Sequence, residues 1–194
     1  MRRPRSHPYL IRYERSLRPC LAPPSAPRQR GPITSEALTL ALDLDAVIGD
    51  TAPLWRAWLD DAARRYRSIA ELDPASLPAD RAEAADRLDR WARAGIGDWR
   101  AALERFAEDR APAFLRPDAR VSEALRRLQA TGARLGTYTD APEPLARIAL
   151  ATLGATRRLE AAESGRDAQA RLLARLGPET RVVSSREELI GLTP

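Results

Sequence analysis

Leu38-Thr39-Leu40-Ala41-Leu42-Asp43-Leu44-Asp45, continued by Ala46-Val47-Ile48-Gly49-Asp50-Thr51, is the stretch on which the reading of the fold turns. The run over 38–42 is short and apolar apart from one threonine, the pattern of a strand buried on both faces of a parallel sheet. It closes on two carboxylates at i and i+2, which on a strand point to the same side of the pleat. The carboxyl ends of strands are where open α/β sheets bind their ligands. Asp pairs also end strands and begin turns for purely local reasons, so the pair gains weight only from what surrounds it.

Immediately downstream, Asp50-Thr51 offers a helix N-cap with Pro53 in the first turn. Trp55, Trp58, Leu59, Ala62 and Tyr66 then recur at spacings of three and four, an apolar helical stripe. After a proline-containing loop over 73–78, two more helical patterns follow, one carrying Leu88 and Trp91, the other Trp99, Leu103 and Phe106. All four tryptophans fall in this insert, where the bland reading, the core of a small helical cap, outweighs a ligand-binding aromatic box.

From Pro117 the pattern alternates. Val121, Leu125 and Leu128 predict a helix that stops at Gly132, and 134–138 predicts a strand ending in Thr139-Asp140. Asp140 and Glu143 have capping-box spacing for a helix that ends at Gly154. A further helix is expected over 167–176 and a last strand over 180–183. Alternating strands and helices imply a parallel sheet. The expected fold class is therefore α/β, a Rossmann-like parallel sheet formed by 36–51 and 112–194, with a small helical cap over 52–111.

Composition narrows the chemistry. All 32 basic residues are arginine, and the single histidine (His7) and single cysteine (Cys20) lie in the first 20 residues. Over the folded part this removes Ser–His and Cys–His catalysis, Schiff-base lysine chemistry and Cys/His zinc sites. Carboxylates, hydroxyls and backbone amides are left to act. Residues 1–35 hold eight of the 32 arginines, one of the 27 acids (Glu14) and seven of the 16 prolines. The remaining 24 arginines and 26 acids nearly balance, so a basic nucleic-acid face on the folded domain is not expected. The segment 1–35 reads as a disordered extension; an organellar leader or an electrostatic arm are the alternatives. No apolar run is long enough for a membrane span, and a cytoplasmic protein is expected.

The stretches Leu40-Ala-Leu-Asp43-Leu-Asp45-Ala-Val-Ile-Gly-Asp-Thr51 and Gly136-Thr-Tyr-Thr139-Asp140, with Leu115-Arg-Pro117 between them, resemble the haloacid dehalogenase-like superfamily, in its members with a helical cap after the first strand. The resemblance spans roughly 38 to 190. It implies a phosphatase acting on a small phosphorylated metabolite through an aspartyl-phosphate. Asp43 would be the nucleophile, Asp45 the general acid/base, and Thr139 a ligand of the phosphoryl oxygens. Mg²⁺ would be held by Asp43, Asp45 and an acid after the last strand.

The chain departs from the family pattern at three points. Ala46 stands where glycine is usual. With no lysine available, Arg166 is the stand-in for the family's charge-neutralising lysine. Ser184-Ser185 replaces the acidic fourth motif, so that Glu188 reaches the metal only by a one-residue slip; 184–188 also reads as an N-cap and first helical turn. These departures carry the alternative expectation, a catalytically impaired relative that binds a phosphorylated ligand or a protein partner.

Overall fold

The computed structural model describes residues 38–192, and the expectations placed on 1–35, with His7 and Cys20, lie outside these described residues. Four parallel strands form one sheet in the order β3-β2-β1-β4, with β1 at Thr39–Asp43, β2 at Arg134–Thr139, β3 at Ala161–Ser164 and β4 at Arg181–Val183. The expected α/β parallel sheet is what the chain forms. β3, only four residues of mixed polarity, has no counterpart in the sequence reading.

The central strand explains itself. Leu40, Ala41 and Leu42 are fully buried because both faces of β1 are covered. Leu40 and Leu42 join the main hydrophobic cluster on one face. Ala41 faces the other way, against Leu172 and Leu176. In register across the sheet, Ala41 lies beside Gly136 and Gly136 beside Ala161, a row of small residues. Upon that row packs α6 (Ala168–Leu176); a Cβ on Gly136 would stand 2.8 Å from methyl carbons of Leu172 and Leu176. The missing side chain is what lets the helix approach so closely.

Three helices follow β1 in the insert, ahead of a fourth that leads into β2: α1 (Ala52–Arg65), α2 (Arg81–Trp91) and α3 (Trp99–Phe114). Aspartates set their starts. Asp50 accepts from the Ala52 N–H at 2.9 Å, Asp80 from the Glu83 N–H at 2.8 Å, and Asp98 from the Arg100 N–H at 2.9 Å. All four tryptophans are buried. Trp58 stacks on Trp55 at 5.1 Å and lies 5.7 Å from Trp99, while Trp91 meets the Tyr66 ring edge-on. This aromatic cluster is continuous with the apolar residues beneath the sheet, so one core serves both the insert and the strands. The remaining helices, α4 (Ala119–Ala130), α5 (Glu143–Thr152) and α7 (Arg186–Gly191), complete the layers. Among the described residues no helix is long and apolar enough to cross a membrane.

Candidate functional site

The parallel sheet brings the carboxyl ends of β1, β2 and β3 to one edge, and a cleft of about 500 Å³ opens there. Asp43, Asp45, Thr139 and Arg166 all line it, so the structure gathers four of the five residues singled out in the sequence. Glu188, the fifth, is not among the lining residues. It accepts from Arg181 Nη2 at 2.9 Å and from the Ser184 N–H at 3.2 Å, while Ser185 caps α7 by accepting from the Glu188 N–H at 3.1 Å.

Asp43 ends β1, but Asp45 is not on the strand. The chain folds at once into a single wide helical turn, Leu44–Ile48, closed by the Gly49 N–H on the Leu44 carbonyl at 2.8 Å. Asp43 caps that turn through the Ala46 N–H at 3.0 Å. Leu44, Val47 and Ile48 anchor the turn in the core. Turns of this wide type cluster at functional positions. The strand-pleat argument for the pair is thus corrected: helical geometry, not the pleat, brings Asp45 to the cleft. Among the described residues Asp43 enters no ion pair. Beside it, burial and the Asp43 charge push the Tyr138 phenol up, so Tyr138 stays a protonated donor.

Asp45 sits in a different environment. Its Oδ1 accepts from the Thr51 N–H at 2.8 Å and the Thr51 hydroxyl at 2.6 Å; its Oδ2 accepts from the Thr139 hydroxyl at 2.7 Å. The remaining partner was not singled out in the sequence. Arg81, the first residue of α2, donates from Nη2 to Asp45 Oδ2 at 2.6 Å and from Nη1 to the Thr51 hydroxyl at 2.6 Å. Its Nε donates to Asp140 Oδ1 at 2.9 Å, joined there by Nη2, and its own backbone N–H donates to Asp140 Oδ2 at 2.9 Å. Arg81 is 7% exposed.

This network reassigns Asp140. Instead of forming a capping box with Glu143, it spends both oxygens on Arg81, and α5 starts at Pro142 without a side-chain cap. It also fixes charge. Burial works against ionisation of Asp45, but the Arg81 guanidinium, aided by Thr51 and Thr139, outweighs it and holds the carboxyl below its ordinary range. Burial likewise works against the charge on Arg81, and Asp140 and Asp45 more than offset it.

Thr139, 4% exposed, donates to Asp45 and accepts from the Ala141 N–H at 3.1 Å. Arg166 lies on the opposite wall, just before α6, with Nη2 on Asp86 of α2 at 2.6 Å and 58% of its side chain exposed. Gly165 and Asp167 take left-handed φ values of 78° and 53° there, turning the chain so that the first turn of α6 borders the cleft.

The donors do not fit the Mg²⁺ that the resemblance implies. Among the described residues no three His, Cys, Asp or Glu side chains are grouped to hold a metal ion. Both Asp45 oxygens are taken by nitrogen and hydroxyl donors, and Glu188 is engaged outside the cleft. Mg²⁺ demands near-octahedral oxygen donors, which this set does not offer.

No family model matches the chain, and no curated protein matches its sequence. Solved structures do. A protein assigned as a beta-phosphoglucomutase from Thermotoga maritima is 18% identical, with 79% of this chain and 80% of that one covered at a TM-score of 0.49. Protein Tyrosine Kinase A from Mycobacterium tuberculosis is 22% identical, with 73% and 70% covered at 0.46. A HAD phosphatase from Thermococcus onnurineus is 17% identical, with 66% and 61% covered at 0.42. The all-parallel sheet, with helices inserted straight after β1, is the α/β architecture expected from the sequence.

Proposed function

We propose that the cleft binds the phosphoryl group of a small metabolite, in a haloacid dehalogenase-like protein impaired in metal-dependent hydrolysis, with α1–α3 acting as its cap. The observation that carries this reading is Arg81 seated on Asp45. A general acid must hold a proton near the working pH. Asp45 is paired with Arg81 at 2.6 Å and accepts from Thr51 and Thr139, an arrangement that favours its charged form over the protonated form a general acid needs. Among the described residues no side chains are grouped to hold the metal that would neutralise a phosphoryl group during transfer.

Binding has support of its own. The first turn of α6 borders the cleft without a side-chain cap from Asp167, and a helix start is the positive end of its dipole. Arg166 adds a guanidinium, 58% exposed, whose side chain meets only Asp86 among the described residues. The rest of the cleft is acidic: Asp43, Asp45, Asp80, Glu83, Asp140 and Asp167 face only Arg81 and Arg166. Such a wall accepts hydrogen bonds from hydroxyls and leaves the phosphoryl charge to Arg166 and the start of α6. The ligand class it favours is a monophosphate on a neutral, hydroxyl-bearing body.

A second reading, an active phosphatase, is favoured by one observation. Among the described residues Asp43 lines the cleft with no cation on it, one oxygen accepting from the Ala46 N–H, which leaves the other free to attack a phosphoryl group.

Calorimetric titration with inorganic phosphate and with a hexose monophosphate tests the binding site. Saturable binding is expected, weakened about tenfold, or about 1.4 kcal/mol, by Arg166→Glu. No binding, or binding indifferent to Arg166→Glu, would remove the phosphoryl site from this end of the cleft.

A further inference from the structure

The geometry points to Arg81 as a built-in cation that occupies the place of a divalent metal, making the cleft metal-independent by construction. This goes beyond what the cleft binds and holds for either reading of its function. Two acidic side chains from different elements, Asp45 after β1 and Asp140 after β2, converge on one guanidinium. Such a pair of carboxylates would repel one another if left without a cation. Arg81 supplies it with every side-chain donor in use: Nε on Asp140, Nη1 on Thr51 with a longer 3.4 Å reach to Asp45, and Nη2 on Asp45 and Asp140.

The charge is permanent, because arginine does not lose its proton in proteins, and the planar fork matches carboxylates in a way a point charge does not. It is also fixed in place. The backbone N–H of the same residue holds Asp140, so the start of α2 and the side chain are pinned together. An arriving divalent ion would have to displace a guanidinium whose side chain is only 8% exposed, and would meet like charge before reaching either carboxylate. A chain without lysine can place such a charge only with arginine. The insert therefore carries the cation to the sheet edge, and the same contact holds the two together.

The test is metal binding, read without any activity. Mg²⁺ and Mn²⁺ are titrated calorimetrically and by thermal unfolding into wild type, Arg81→Met and Arg81→Gln. Wild type is expected to show no saturable heat up to about 10 mM and no change in Tm. Arg81→Met, with Asp45 and Asp140 released, is expected to bind Mg²⁺ with a Kd of about 1 mM and to gain about 3 °C in Tm at tenfold excess. Adding Asp45→Asn should abolish that gain. Arg81→Gln, which keeps a neutral hydrogen-bonding head, carries the same readout if Arg81→Met does not fold. Saturable Mg²⁺ binding by wild type overturns the proposal, and so does a folded Arg81 variant that gains none. Phosphate titration of the same wild-type sample keeps the outcome separate from that of the binding-site reading.

Discussion

Asp45→Ala is expected to lower the unfolding free energy at pH 7 by about 3 kcal/mol, measured from the urea midpoint. Removing one partner of a buried ion pair costs about 3–5 kcal/mol, because the other charge stays buried without its compensation. The lower end applies here, since the Asp45 side chain is 23% exposed and Asp140 remains on Arg81. Two threonine hydroxyls, of Thr51 and Thr139, lose their acceptor at the same time. The effect has a pH signature. A carboxyl held below its ordinary value in the folded state stabilises above the unfolded pKa of about 3.9, and that stabilisation fades as pH falls through the folded value. The gap between wild type and Asp45→Ala should therefore be full at pH 7 and shrink below about pH 4. A cost under about 1 kcal/mol, flat with pH, would mean that the Asp45–Arg81 pair behaves as a solvent-screened surface contact.

Trp58→Ala is expected to cost about 4 kcal/mol. Truncating a buried tryptophan removes about 3–5 kcal/mol through lost transfer energy and the cavity left behind. Aromatic pairs contribute about 0.5–1.5 kcal/mol beyond buried area, and Trp58 is 2% exposed between two other tryptophans. Because the tryptophan cluster is continuous with the apolar residues under the sheet, the variant should still unfold in one transition, at a lower midpoint. Far-ultraviolet circular dichroism and tryptophan fluorescence should report the same midpoint. A first transition seen in fluorescence alone, with the sheet surviving, would show that α1–α3 are an independently stable lobe.

The core of this architecture is legible in local pattern. The apolar run of β1, the stripes at Trp55, Trp58 and Leu59 and at Val121, Leu125 and Leu128, and the aspartates that begin helices all act over a turn or two of chain. Each forms the element its spacing predicts. β3 was not legible, because Ala161-Ala162-Glu163-Ser164 is too short and too polar to show a period and forms only when β2 is beside it.

The candidate site divides in the same way. Asp43 and Thr139 announce themselves at strand ends, and Asp45 two residues past the first of them. Arg81 does not: in Asp80-Arg81-Ala82-Glu83 it looks like one more solvated arginine at a helix start, in a chain with 32 of them. Its role rests on partners 30, 36 and 59 residues away. Asp140 misled for the reverse reason. Its capping-box spacing with Glu143 is real, but a buried guanidinium binds its carboxylate at the expense of the cap. A basic residue directly after a capping aspartate and two positions before Glu83, in a chain with two aspartates just past its strands, is the one signal that could have pointed to the contact.

On the proposed reading, Arg81 on Asp45 leaves the cleft able to hold a phosphoryl group and unable to hydrolyse it with metal. Phosphate release from an aryl phosphate and from a panel of sugar monophosphates, with Mg²⁺ and with chelator, for wild type and Asp43→Asn, tests it most directly. Release at the same low level is expected in all four combinations, from protein that still binds phosphate. Mg²⁺-dependent turnover that Asp43→Asn abolishes would contradict it, and would show that the Arg81 contact opens when substrate arrives.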